Sequence, residues 1–227
     1  MYLLESTAHP IPSEKEQGKV GITGSAKSRD NRPSVRGCDR QITGTLNILL
    51  FEIMLQFITH HTDRYDEIAG TRAVLEGGCR WVQLRMKDAP AEEVLRIGRE
   101  IEKLCREYGA KFILDDHVEL VRELNADGVH LGKLDMPVAE ARRLLGPEYL
   151  IGATANTFED IERGAGQGAD YIGLGPFRFT QTKRNLSPVL GLEGYRTIME
   201  CCRNAGIALP VVATVSYTHL TLPTICS

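Results

Sequence analysis

The chain of 227 residues carries 27 Lys and Arg against 30 Asp and Glu, a formal net charge of −3, with 42% hydrophobic residues. That length and apolar content suit one α/β domain with a proper core and argue against a second large one. The near balance of charge excludes the dense basic face that nucleic-acid binding requires. The apolar stretch Leu46 to Ile58 is broken by Asn47, Glu52 and Gln56 and is too short to span a bilayer, so no membrane association is expected. The six cysteines, Cys38, Cys79, Cys105, Cys201, Cys202 and Cys226, form no CxxC pair and read as buried thiols of a cytoplasmic protein.

From Met1 to about Thr45 the sequence is rich in Gly, Ser, Pro, Lys and Arg and shows neither helical nor strand period, which predicts disorder. A transit peptide is the alternative, but Glu5, Glu14, Glu16, Asp30 and Asp39 argue against it. Met54 immediately precedes the first convincing strand, so residues 1–53 are expected to be an upstream extension translated from non-coding sequence. At the other end, VSYTHLTLPTICS from Val215 resembles the translation of a transposon-type sequencing adapter. Residues 214–227 are therefore expected to be a non-native tail, although TVSYTHLTL has enough period-two character to pair as a surrogate edge strand.

Between these ends, over 54–213, short β-branched runs alternate with helical patterns: LQFIT, CRWVQLRM, KFILD, GVHLG, YLIGAT, YIGLG and LPVVA. Ala91 to Tyr108 stripes Val94, Ile97, Ile101, Leu104, Cys105 and Tyr108 along one helical side, and Leu192, Tyr195, Ile198, Met199 and Cys202 stripe a later helix. Pro137 opens another helix that Gly146-Pro147 closes. Strands joined by crossover helices make a parallel sheet, open or closed. No glycine-rich phosphate turn follows the first strand, where THHTDRY stands instead, so the predicted fold is a TIM-type (β/α)8 barrel. Only seven native strands are present, because the pattern stops at Ala213. The first and seventh strands should then be open edges.

In such a barrel the C-terminal strand ends hold the chemistry. The second strand alternates Gln83, Arg85 and Lys87 on one face with Val82, Leu84 and Met86 on the other. An amide, a guanidinium and an ammonium aimed at one mouth call for an anion such as a diphosphate, or else form a salt-bridge ladder with Asp115 or Asp116. Asp115 and Asp116 end the third strand, and Asp135 follows the fourth. Carboxylates beside a phosphate are what magnesium prefers, while Asp135 before Pro137 also suits a helix cap. His130 reads as a hydrogen-bonded core histidine, and His60 and His61 lack metal-like spacing. After the sixth strand, GLGPFRFTQTKRNLSP offers Gly173 and Gly175 for close backbone approach, with Thr180, Thr182 and Lys183 to hold phosphate.

Taken together in this order, QLRMKD, LDDHVEL, DGVHLGKLDMP, IGATANT and IGLGPFRFTQTK resemble the thiamine phosphate synthase family across about 160 of the 227 residues. The resemblance implies a magnesium-dependent transferase that joins hydroxymethylpyrimidine diphosphate to thiazole phosphate with release of pyrophosphate. It also implies that Gln83, Arg85, Lys87 and Lys183 hold the diphosphate substrate, with Arg85, Lys87 and Lys183 acting in catalysis, and that Asp116 and Asp135 carry magnesium. Thr154 stands where the family usually has serine near the reacting centre, and Thr180 and Thr182 would hold the thiazole phosphate. Asp115 replaces a usual asparagine at the pyrimidine contact, and Met86 a usual glutamate. The family's glycine-rich turn after VVA and its eighth strand are missing. A thiazole tautomerase on the same barrel is one alternative, opposed by Arg85, Asp116, Asp135 and Lys183; an inactive fragment is the other.

Overall fold

The computed structural model describes the backbone of Leu3–Glu5 together with residues 55–178 and 188–214. Along the chain lie β1 (Leu3–Glu5), β2 (Gln56–Ile58), α1 (Glu67–Glu76), β3 (Trp81–Leu84), α2 (Ala91–Glu107), β4 (Lys111–Asp115) and β5 (Gly128–Leu131). They are followed by α3 (Val138–Leu145), β6 (Leu150–Ala155), α4 (Phe158–Gly166), β7 (Tyr171–Leu174), α5 (Gly191–Asn204) and β8 (Val211–Ala213). Strands β2 to β8 pair in sequence order and all in parallel, which makes the nearly closed seven-strand barrel that the periodicity predicts.

Alternation within each strand divides the apolar residues between two cores. Val82 and Leu84 point outward and join Ile97, Ile101 and Leu104 of α2 in the layer between sheet and helices. Trp81, Ile113, Tyr171 and Val212 point inward and fill the barrel, with the Trp81 and Tyr171 rings edge to face at 4.9 Å. Burying each of these large side chains contributes about 2 kcal/mol. Helix starts are set locally. Asp66 caps α1 by accepting the Ala69 N–H, and Thr157 with Asp160 forms a capping box at α4.

Three features depart from the sequence expectation. Leu3–Glu5, within the stretch expected to be unstructured, pairs antiparallel with Val211–Ala213, so β8 is not an open edge. Three residues are too few to display a period, and an exposed edge offers backbone partners whatever the side chains. Between β4 and β5 no α-helix forms; the crossover is a single 3₁₀ turn at Val118–Leu120 followed by further turns. About a dozen residues, Asp116 to Asp127, are enough for a parallel crossover but not for a full helix with its two loops. Leu192, expected on the buried stripe of α5, is 54% exposed in the first turn of that helix, whereas Ile198 and Cys202 do face the core.

Cys79, Cys105 and Cys202 are buried, and all four cysteines of the described residues are free thiols. No helix among the described residues is long and apolar enough to cross a membrane.

Candidate active site

One rim of the barrel, at the C-terminal ends of β3, β4 and β5, gathers the charged groups. Gln83 lies on the inward face of β3 and is fully buried; Arg85 and Lys87 follow directly in the loop. Asp115 closes β4. Its Oδ1 accepts from Gln83 Nε2 at 2.5 Å, and its Oδ2 lies 3.5 Å from Arg85 Nε.

Asp116 has a left-handed backbone (φ 68°), a conformation that costs a non-glycine residue about 1–2 kcal/mol and that Asp tolerates better than most. The turn is held by the Asp116 N–H to the His130 carbonyl at 3.0 Å and the His117 N–H to the Asp115 carbonyl at 2.9 Å. It brings the Asp116 carboxylate 3.4 Å from Lys87 Nζ and into a hydrogen bond with Asp135.

Asp135 comes from the loop after β5, where its Oδ2 accepts the Gly132 N–H at 2.6 Å. It does not cap α3: Pro137 stands at the cap position and no side-chain cap bond forms. Burial, the hydrogen bond to Asp135 and the charges of Asp115 and Asp135 together push Asp116 up to about 7, against the pull of Lys87. Burial also acts to raise Asp135, but the bond from Asp116, the Gly132 N–H and Lys87 outweigh it and hold Asp135 below the usual carboxylate range. Lys87 loses some favour by burial yet is held above its ordinary value by Asp116, Asp135 and Asp115. The pair thus shares one proton, carried on Asp116 and directed at Asp135.

A pair of oxygen donors sharing a proton is a donor set into which a hard divalent cation fits, since the cation replaces the proton. Among the described residues no group of three His, Cys, Asp or Glu is arranged to hold a metal ion, so Asp116 and Asp135 would supply two carboxylates and leave other positions to water or phosphate. Magnesium prefers that division of ligands.

The salt-bridge ladder expected as an alternative, Arg85 with Asp115 and Lys87 with Asp116, is present, so the cations are held in place by the same acids that flank them. His130 is buried as expected, but its Nε2 lies 3.0 Å from Thr154 Oγ1, which joins it to the site.

Two further contacts tie the rim loops together and escaped sequence reading. Lys133 Nζ lies 2.5 Å from Asp160 Oδ2, and the Asn156 amide donates to the Gly175 carbonyl. Nothing in the spacing of Lys133 and Asp160 marks them as partners; only the barrel brings their loops together. Gln83, Arg85, Lys87, Asp115, Asp116, Asp135 and Thr154 are therefore all gathered at one end of the barrel, whereas Thr180, Thr182 and Lys183 lie outside the described residues.

The sequence profile of the family described as thiamine monophosphate synthase matches residues 55–225. A thiamine-phosphate synthase of Phocaeicola vulgatus is 59% identical over 173 residues, 76% of this chain and 83% of the relative. One of Bacteroides thetaiotaomicron is 56% identical with the same coverage. Among solved structures, a thiamine phosphate pyrophosphorylase from Pyrococcus furiosus superposes with a TM-score of 0.61 at 37% identity, covering 72% of this chain and 75% of its own.

Proposed function

The chain belongs to the thiamine monophosphate synthase family, and from that membership we propose that it is the transferase joining hydroxymethylpyrimidine diphosphate to a thiazole phosphate, with release of pyrophosphate, in thiamine biosynthesis. The observation that carries the reading is the linked set Arg85, Asp115, Lys87, Asp116 and Asp135 on one rim. Two cations that now rest on carboxylates can exchange those partners for an incoming diphosphate, to which charge-assisted hydrogen bonds are strong.

Asp116 and Asp135 would hold magnesium, which when bound supplies positive charge to the diphosphate. Arg85 binds the diphosphate through its planar fork and Lys87 through a point charge. Both stabilise the charge that grows on the leaving group as its C–O bond breaks. Gln83 and Asp115 orient the pyrimidine end, and Thr154 lies near the reacting carbon. Lys183 would join the cations on the leaving group, and Thr180 and Thr182 would hold the thiazole phosphate. As the bond breaks the pyrimidine methylene becomes carbocation-like and the thiazole nitrogen captures it. No covalent nucleophile is needed, so the contributions of the protein are positioning and electrostatic stabilisation.

The test is product analysis with both substrates supplied to the purified chain. Thiamine phosphate and pyrophosphate appearing in equal amounts support the reading. An isomerised thiazole phosphate without pyrophosphate would instead mark a tautomerase.

A further inference from the structure

Below the charged rim, a line of buried polar side chains crosses the barrel. Gln56, Gln83 and His130 are almost wholly buried, in an interior otherwise filled by Trp81, Ile113, Tyr171 and Val212. Buried polar groups survive there only if each finds a partner, and here the partners are one another.

The direction of the bonds can be followed from the Asp115 end. Asp115 Oδ1 accepts from Gln83 Nε2 at 2.5 Å, which turns the Gln83 carbonyl oxygen toward Gln56. That oxygen accepts from Gln56 Nε2 at 3.1 Å. Tyr171 is fully buried, and its hydroxyl lies 3.2 Å from His130 Nδ1. A buried phenolic hydrogen needs an acceptor, and a bare Nδ1 supplies one. A neutral imidazole that accepts at Nδ1 carries its hydrogen on Nε2. His130 Nε2 faces Thr154 Oγ1 at 3.0 Å.

We infer that the Tyr171 hydroxyl fixes His130 as its Nε2–H tautomer, so that Thr154 accepts from His130 and presents its own hydroxyl hydrogen to an acceptor atom of the diphosphate-bearing substrate. His130 and Tyr171 are positioning residues in this scheme, acting through Thr154. Two glycines make room for the imidazole. A Cβ on Gly152 would lie 2.5 Å from His130 Nδ1, and one on Gly173 2.8 Å from His130 Cε1. Asp115 sets the direction of the neighbouring Gln83 and Gln56 amides, because a carboxylate only accepts. The inference rests on the proposed role of Thr154 near the reacting carbon.

The experiment is long-range 15N–1H correlation spectroscopy of the full chain labelled at histidine nitrogens, near neutral pH. The His130 signals are identified by their loss in His130→Asn. Expected is a protonated Nε2 with a bare Nδ1, and a mixture of tautomers in Tyr171→Phe, which keeps the ring but loses the hydroxyl. A protonated Nδ1 with a bare Nε2 in the unaltered chain would overturn the relay. In turnover, Tyr171→Phe and Thr154→Val should lower kcat by about tenfold, the upper end for one lost hydrogen bond, and Thr154→Ser should restore it. Unchanged kcat in Thr154→Val would also overturn the inference. A correct tautomer in a chain that releases no pyrophosphate would count against the proposed reaction, leaving the relay intact.

Discussion

Asp116 and Asp135, reaching the rim from neighbouring strands, hold one proton between them, and the Gly132 N–H fixes which of the two is the anion. Without a metal, Asp116 keeps its proton up to about pH 7, whereas an ordinary aspartate loses it near 3.8. Between those values the Asp116 carboxyl binds more of a proton in the folded chain than in the unfolded one. The stability this proton contributes is fully present below the lower value and is lost as pH rises through about 7. Asp116→Asn mimics the protonated form at every pH. In metal-free buffer the Tm of the variant minus that of the unaltered chain should therefore grow from acid to about pH 8. A difference independent of pH would show that the pair does not share a proton.

Arg85→Ala removes the planar cation and leaves Asp115 without it. Pyrophosphate release should fall by a factor on the order of 100 in kcat/KM, the usual cost of losing a preorganised charge in a transition state. Arg85→Lys should recover only part of this, since an ammonium cannot form the two parallel bonds of a guanidinium. Steady-state kinetics with saturating thiazole phosphate measures both.

Asp160→Ala tests the brace between loops. Asp160 closes the capping box of α4, accepts the Asn156 N–H at 3.0 Å and pairs with Lys133. Its loss should cost about 2 kcal/mol in urea unfolding, combining a helix cap with one buried charged bond. Because Lys133 sits two residues before Asp135, the affinity for magnesium should weaken as well. An unfolding curve that overlays that of the unaltered chain would remove the brace from the account.

Gly152→Ala places a methyl group against the Tyr171 and His130 rings. Overpacking of this kind costs about 1–3 kcal/mol. The same spectra that report the His130 tautomer should show its signals displaced or broadened.

The parallel barrel was legible because its strands are buried on both faces and so read as short apolar runs at regular spacing, as in KFILD and YIGLG. The acidic and basic rim was legible because Gln83, Arg85 and Lys87 interrupt an apolar run, although the strand ends at Leu84, so that only Gln83 lies on its inward face and Arg85 and Lys87 stand in the loop. The relay was not. A lone buried histidine such as His130 looks the same in sequence whether it serves packing or positioning, and its partners Tyr171 and Thr154 are 41 and 24 residues away. The signal that could have found it is the pair Gly152 and Gly173, small residues on the two strands after β5 that leave space for a ring. The β1 pairing was invisible for the opposite reason, since it depends on backbone groups rather than on side-chain pattern.

The central claim is that two carboxylates and two cations on one rim grip a departing diphosphate through a divalent ion. Its most direct test is the rate of pyrophosphate release, with both substrates present, as a function of magnesium for the unaltered chain and for Asp135→Asn. The account predicts no release in chelator, saturable release with magnesium, and a variant that needs at least about tenfold more metal, as expected when one of two protein ligands is lost. Equal rates with and without chelator, or a variant indistinguishable at limiting magnesium, would contradict it.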